Sequence, residues 1–156
     1  MNLILWRHAD AEDGVPDERR ALTHKGHRQA ARMAGWLRER LPDATTVLVS
    51  PAVRAQQTAA ALAEVDPRLR SRLATEPAVG TAATPEGILG AAGWPGGQET
   101  VVVVGHQPTL GAVAARLLAG VRLEWSVRKG AIIWIEHRDR AGHDVLLRAA
   151  LSPDLL

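Results

Sequence analysis

Three short, continuous apolar runs constrain the fold of this chain more than any other feature. They lie at residues 2–6, 45–49 and 100–104 and read NLILW, TTVLV and TVVVV. Continuous apolar runs of this length are typical of strands that are buried on both faces, as in parallel sheets. Helical patterns lie between the runs, so the chain is predicted to form strand–helix–strand units with right-handed crossovers.

The helical segments are indicated by apolar spacing and by capping residues. A pattern at 25–41 ends before Pro42 and places five apolar residues on one face: Ala30, Met33, Ala34, Leu37 and Leu41. Ser50-Pro51 predicts the start of a second helix, because Ser is a favoured N-cap and Pro a favoured first residue. A short helical segment is expected to begin at Thr84-Pro85-Glu86, and another helix at 108–118.

The remaining strands complete the predicted fold class. Residues 70–75 predict a weaker strand, and 131–136 and 144–150 predict an antiparallel hairpin around a turn at 138–142. We therefore expect an α/β fold with three layers: a mainly parallel sheet, helices on both faces, and an antiparallel C-terminal edge hairpin. The length of 156 residues suits a single domain, 1–156.

Composition excludes several classes of function. Cysteine is absent, so neither disulfides nor thiolate metal sites are possible. The 19 Lys and Arg residues are spread along the chain and offset by 17 acids, which is not the footprint of a nucleic-acid-binding protein. No apolar run approaches the about 18 residues of a membrane span, and the N-terminus does not read as a signal peptide. A cytoplasmic monomer that contacts neither nucleic acid nor membrane is expected.

Basic and polar residues follow directly after the three strong strands. Arg7 and His8 follow the first, Ser50 and Arg54 the second, and His106 the third. Ligands of open α/β sheets bind beyond the carboxyl ends of the strands, so these residues are expected to meet at one site. Each alone has an ordinary explanation as a loop start, a cap or a surface helix residue. Their occurrence together at three strand ends favours a functional site.

Such a site suits a phosphoryl group. Arginine presents a planar fork that matches phosphate oxygens, and helix N-termini add free N–H groups. The Gly-rich loop and lysine of a P-loop site are missing from the sequence. One neutral histidine can attack phosphorus, and the other, charged, can stabilise the transferred group. His24 and His27 have metal-ligand spacing but lack a nearby carboxylate pattern, so a surface role and no metal are expected.

These motifs resemble those of a known family. LILWRHADAE, LTHKGHRQAARMAGWL, VLVSPAVRAQQTAAAL and VVVVGHQPTLGAVAARLL are similar to the histidine phosphatase superfamily, in its small SixA-like phosphohistidine phosphatase branch. RKGAIIWIEHR resembles the family's Gly-containing penultimate strand. The resemblance implies a phosphoglycerate mutase-like fold without a large cap and a reaction that needs no cofactor.

The resemblance also assigns roles. His8 is implied to be the nucleophile that becomes phosphorylated, and Arg7, Arg54 and His106 to hold the phosphoryl oxygens. The residues with smaller implied roles are Ser50 (pocket shape), Gln107 (a backbone N–H), and Arg20 and Asp10 (the pocket mouth). The family signature is Arg-His-Gly, whereas this chain has Ala9. Alanine at that position indicates that no positive φ is required there.

The short interval between residues 65 and 100 leaves little material for a cap. An open, shallow site favours phosphohistidine in a protein substrate, and Glu76 and Glu86 are the candidate acids if one is needed. Three alternatives stay open: a phosphatase for a small phosphorylated metabolite or nucleotide, a non-catalytic module that binds phosphate or a phosphoprotein, and a metal-dependent hydrolase.

Overall fold

The apolar runs form strands in the computed structural model, which describes residues 1–97, 99–139 and 144–156. Within these residues the strands are β1 (Asn2–Arg7), β2 (Thr45–Val49), β3 (Leu73–Thr75), β4 (Thr100–Gly105), β5 (Ile132–His137) and β6 (Val145–Leu151). The α-helices of the same residues are α1 (His24–Arg38), α2 (Val53–Val65), α3 (Pro85–Ala92) and α4 (Thr109–Ala119).

The strands form one sheet in the order β3-β2-β4-β1-β5-β6. The first four are parallel, β5 is antiparallel to β1, and β6 is antiparallel to β5. The predicted mainly parallel sheet with an antiparallel C-terminal edge hairpin is therefore confirmed. Residues 140–142 of the predicted turn lie outside the described residues.

The register of the central strands aligns their carboxyl ends. Arg7 pairs with Gly105 between β1 and β4, and Val49 pairs with Val104 between β2 and β4. The next residues in the chain are His8, His106 and Ser50. These three side chains therefore begin at the same edge of the sheet, although up to 98 positions separate them in the sequence.

Alternate side chains of each central strand enter different cores. Ile4 and Trp6 of β1 belong to a core that includes apolar residues of α1 and α2. Leu3 and Leu5 belong to a second core on the other face, with residues of α3 and α4. Strands with both faces buried need apolar residues at every position, which explains the continuous runs in the sequence. The three-layer arrangement is confirmed.

The predicted boundaries differ from the structure at two helices. α1 ends at Arg38, before the predicted end at residue 41, and the N–H of Leu41 closes the turn by donating to the Leu37 carbonyl. α2 begins at Val53 with Ala52 as its N-cap, so Ser50 is not the helix cap. The Ser50 hydroxyl instead accepts from the N–H of Ala52 and contacts a residue of the site described below.

The interval between α2 and β4 holds short elements only. Its described residues form two short 3-10 helices (Pro67–Arg72 and Pro77–Val79), β3 and α3. The first of these helices occupies part of the predicted strand at 70–75, so β3 begins only at Leu73. Among these described residues nothing forms a large cap. The helices of the described residues are also too short or too polar to cross a membrane.

Candidate active site

The carboxyl edge of the sheet opens into a polar cleft of about 310 Å³. The side chains predicted from the three strand ends line it together, namely Arg7, His8, Arg54 and His106. The other lining residues are Ala11, Asp17, Arg20, Thr81, Gln107 and Lys129.

His8 has a defined tautomer. Its Nδ1 lies 2.8 Å from the backbone carbonyl oxygen of Ala9, and a carbonyl only accepts, so Nδ1 carries the proton. The lone pair is therefore on Nε2. Burial lowers the pKa of His8 to about 3, with a smaller lowering from the nearby His106, Arg54 and Arg7. The imidazole is neutral near pH 7, which is the form that can attack phosphorus.

Arg54 stands between the two histidines. It belongs to the first turn of α2 and is almost fully buried. Its Nε donates to Nε2 of His8 at 3.3 Å, and its Nη2 lies 3.5 Å from Nδ1 of His106. The Thr58 hydroxyl, one turn further along α2, donates to the Arg54 carbonyl and accepts from the N–H of Ala9. This pair of bonds ties the helix to the His8 segment.

His106 is held from its other side by Ser50. The distance from Nε2 of His106 to the Ser50 hydroxyl oxygen is 2.7 Å. Because the Nη2 donor of Arg54 faces Nδ1, the arrangement favours a proton on Nε2, donated to Ser50. The two histidine rings lie 5.1 Å apart, at 54° to each other.

The charge state of His106 is set by its burial in the cleft. Burial, followed by the positive charge of Arg54, lowers the pKa of His106 to about 4. The ring is therefore neutral near pH 7 in this arrangement of side chains, whereas the charged form expected from the sequence concerns the site with a bound phosphoryl group. Desolvation disfavours the imidazolium, and the depth of burial is a property of the packed fold.

Arg7 has a buried donor without a partner. Its Nη1 donates to the Val127 carbonyl at 2.6 Å, while its Nε has no hydrogen-bond partner among the described residues. An unsatisfied buried donor of this kind costs about 1–3 kcal/mol.

A glycine turn supports the Arg7–His8 backbone. The N–H of Gly130 lies 3.1 Å from the carbonyl oxygens of both Arg7 and His8, and its own carbonyl accepts from Trp6 Nε1. Gly130 has a φ of +73°, a conformation that favours glycine. Ala9 is fully buried, and no described residue other than glycine has a positive φ, so the expectation that this position needs none is confirmed.

The structure places the residues with smaller implied roles at different distances from the cleft. Arg20 and Gln107 line it, and Ser50 lies behind His106. The Gln107 side chain is engaged elsewhere, donating to the Trp125 carbonyl and accepting from the N–H of Gly111. Asp10 is not a lining residue.

Asp10 acts on the cleft only through a neighbour. Its Oδ1 is 2.6 Å from Nζ of Lys129, which does line the cleft, and its Oδ2 accepts from the Thr23 hydroxyl. Asp10 therefore holds Lys129 at the mouth of the site.

Neither candidate acid reaches the cleft. The Glu76 carboxylate accepts from the N–H of Ala78 and caps a 3-10 helix. Glu86 pairs with Arg116 on the surface, at the separate groove between α3 and α4. Glu76 and Glu86 therefore have structural roles here and are not the acids of the cleft, which corrects the prediction. The sequence does not show in which direction these two side chains point.

Asp17, Lys129 and Thr81 line the cleft but were not singled out from the sequence. They lie in turns and in a three-residue 3-10 helix, which are too short for a periodic pattern to predict the direction of a side chain. The one signal that could have pointed to Asp17 is its place in the acid-rich loop at 9–23, three residues before Arg20.

The site offers little to a metal ion. Among the described residues no three His, Asp or Glu side chains cluster as ligands. His24 and His27 are exposed at the start of α1.

Similarity to known proteins agrees with the geometry. Residues 3–80 match the histidine phosphatase superfamily (branch 1). Phosphohistidine phosphatase SixA of Escherichia coli is 34% identical over 127 residues, which cover 77% of this chain and 76% of that protein. An uncharacterised protein of Mycobacterium tuberculosis is 36% identical over 110 residues, which cover 69% of this chain and 66% of the relative.

Solved structures share the fold. A structure of the protein histidine phosphatase SixA complexed with tungstate superposes with a TM-score of 0.84 at 26% identity, covering 99% of both chains. The alpha-ribazole phosphatase of Shigella flexneri shares the fold alone, with a TM-score of 0.69 at 19% identity, covering 98% of this chain and 97% of that one. On the sequence match and the SixA relationship together, this chain belongs to the histidine phosphatase superfamily and is SixA-like.

Proposed function

We propose that this protein is a phosphatase that works through a phosphohistidine on His8, and that it removes phosphate from phosphohistidine in a protein substrate. The observation that carries the proposal is the orientation of His8. Its Nδ1 is tied to a carbonyl, which leaves the Nε2 lone pair within 3.3 Å of the Arg54 guanidinium. A neutral nucleophile beside fixed cations is the arrangement that phosphoryl transfer requires.

In the first step, Nε2 of His8 attacks phosphorus while the bond from phosphorus to the leaving group breaks. The three equatorial oxygens contact Arg7, Arg54 and His106. Their negative charge favours the imidazolium form of His106, so this ring gains a proton when the phosphoryl group binds. The leaving group departs with the electron pair of the broken bond.

In the second step, water attacks the phosphorus of the phosphohistidine. The bond from phosphorus to Nε2 breaks, its electron pair returns to His8, and inorganic phosphate leaves with the protons of the water. Both steps use positioning and electrostatic stabilisation of the same phosphoryl oxygens.

The absence of a good proton donor among the described lining residues supports phosphohistidine as the substrate. Asp17 is the one carboxylic acid among the described lining residues. Hydrogen bonds from Arg54 and then from Arg20 lower the pKa of Asp17, so it is a poor proton donor. An alcohol leaving group must receive a proton from an acid of the site. The imidazole of a phosphohistidine substrate, when its other nitrogen is protonated, leaves as a neutral ring and needs no such acid. The SixA relationship and the missing large cap support the same substrate class.

A small phosphorylated compound is the second candidate. A cleft of about 310 Å³ is within the range of small-molecule sites, so it can hold a phosphomonoester of modest size. A module that only binds phosphate would use the same arginines without turnover.

A substrate panel separates these possibilities. We would compare release of phosphate from a phosphohistidine-bearing protein domain, from free phosphohistidine and from small phosphomonoesters, using wild type and His8→Ala. We expect the protein substrate to have the highest kcat/KM and the variant to be inactive on all three. Faster turnover of a phosphomonoester would move the substrate class to small molecules, and tungstate binding without any turnover would indicate a binding module.

A further inference from the structure

We propose that Asp17 is a positioning residue whose single carboxylate orients the two arginines Arg54 and Arg20 toward the phosphoryl group. The inference rests on the proposed function, because it concerns how the phosphoryl oxygens are held. Asp17 begins the short 3-10 helix Asp17–Arg19 in the loop between β1 and α1.

The Arg54 guanidinium has two differently used edges. Its inner edge, formed by Nε and Nη2, faces Nε2 of His8 at 3.3 Å and Nδ1 of His106 at 3.5 Å. Its outer edge is held by Asp17: Nη1 donates to the Asp17 carbonyl at 2.8 Å, and Nη2 donates to Oδ2 at 3.0 Å. The group is planar, so bonds on the outer edge also fix the direction of the inner one.

The other carboxylate oxygen serves Arg20. Oδ1 of Asp17 accepts from Nε of Arg20 at 3.0 Å and lies 2.9 Å from its Nη2. Arg20 Nη1 donates in addition to the Glu12 carbonyl at 3.2 Å. One oxygen thus holds the buried arginine of α2, and the other holds an arginine at the mouth of the cleft.

Burial explains why Arg54 needs this partner. The Arg54 side chain is 5% exposed and that of Asp17 is 57% exposed, so the carboxylate is hydrated while the cation is not. A buried charge is tolerated when it is paired and hydrogen-bonded. The lowered pKa of Asp17 keeps the carboxylate ionised at neutral pH.

Replacing Asp17 has two opposing effects on anion binding, so the direction of the change in affinity tests the proposal. Removing a negative charge from a cationic cleft, by itself, strengthens the binding of an anion. Releasing the outer edge of Arg54 weakens it, because the guanidinium can then turn away from the phosphoryl position. A positioning role predicts that the second effect is larger. A carboxylate that merely competes with phosphate for Arg54 predicts the reverse.

The test measures tungstate affinity by calorimetry and steady-state kinetics in four proteins: wild type, Asp17→Ala, Asp17→Asn and Glu18→Gln. Glu18 is exposed in the same 3-10 helix and controls for the loss of one negative charge. Unfolding midpoints in urea establish that each variant is folded.

We expect Asp17→Ala to weaken tungstate binding several-fold and to lower kcat by roughly ten- to a hundredfold, as misplacement of a catalytic group does. Asp17→Asn, which keeps one acceptor oxygen, is expected to be intermediate, and Glu18→Gln to match wild type. Unchanged or tighter tungstate binding by Asp17→Ala overturns the proposal. Wild type that binds tungstate but turns over no phosphodonor would refute the proposed function, while the affinities would still decide the role of Asp17.

Discussion

The Nε atom of Arg54 lies 3.3 Å from Nε2 of His8, so the cation faces the lone pair of the proposed nucleophile directly. In the proposed mechanism, a phosphoryl oxygen replaces Nε2 as the acceptor of this N–H, which frees the lone pair for attack. Lysine cannot reproduce this contact, because its ammonium is a compact charge without a fork.

The first prediction concerns the fork of Arg54. We expect Arg54→Lys to lower kcat/KM on the order of 10²–10³-fold, the loss that follows removal of a preorganised donor to transition-state oxygens. Steady-state kinetics on the best substrate measure it. Arg28→Lys, on the exposed face of α1, is the matched control and should retain wild-type kinetics. Wild-type turnover by Arg54→Lys would show that the planar fork is not needed.

The second prediction concerns the support of His106. Ser50→Ala removes the oxygen that lies 2.7 Å from His106 Nε2, so the ring loses its fixed tautomer. We expect kcat to fall roughly two- to tenfold with little change in KM, as for loss of a neutral hydrogen bond. The exposed Ser71→Ala is the control. A KM effect without a kcat effect would place Ser50 in substrate binding instead.

The third prediction concerns stability against pH. The pKa values of His8 and His106 are lowered by burial to about 3 and about 4, below their ordinary value of 6.5. Between the folded and the ordinary pKa of each histidine, the unfolded chain binds more protons than the folded one. The free energy of unfolding is therefore highest above about pH 6.5 and decreases as the pH falls below it. At pH 5 the free energy of unfolding is expected to be roughly 2 kcal/mol lower per histidine than at pH 7.5.

Urea unfolding at the two pH values measures this effect. His106→Asn should remove about half of the pH dependence, and His8→Asn a similar share. His27→Asn, at an exposed position of α1, is the matched control for replacing a buried histidine. A pH dependence that persists in full after both buried histidines are replaced would contradict the assignment.

The fourth prediction concerns the Gly130 turn that supports the Arg7–His8 backbone. Gly130→Ala places a side chain at a φ of +73°, where its Cβ would lie 2.9 Å from Pro153 Cγ. We expect a loss of about 1–3 kcal/mol in the free energy of unfolding, the usual cost of such strain. Gly35→Ala is the control, because this position is inside α1 with open space around it. It should be neutral or stabilising by up to about 1 kcal/mol.

Much of the fold was predictable, because β1, β2 and β4 are buried on both faces and are therefore mainly apolar along their length. The convergence of Arg7, His8 and His106 followed from the same reasoning, since parallel strands bring their carboxyl ends to one edge. Arg54 followed from its place shortly after the second strand, and the family motif around it implied the same role. These inferences depend on local periodicity and on a general rule of α/β sheets.

What could not be predicted depends on irregular backbone and on burial. Asp17 reaches Arg54 only because the 9–23 loop folds back over α2, and no periodic pattern encodes that path. The neutral state of His106 reflects desolvation in the packed cleft. The start of α2 was misplaced because Ser50, a good N-cap by type, is used to hold His106 instead.

The central claim is that His8 carries the phosphoryl group during turnover, and trapping that intermediate tests it most directly. Wild type, His8→Ala and His106→Ala would be incubated with phosphoramidate, quenched at neutral pH, and mapped by mass spectrometry with electron-transfer fragmentation. The account predicts acid-labile phosphate on His8 of wild type, less of it in His106→Ala, and none in His8→Ala. Phosphate on a different residue, or undiminished turnover by His8→Ala, would contradict it.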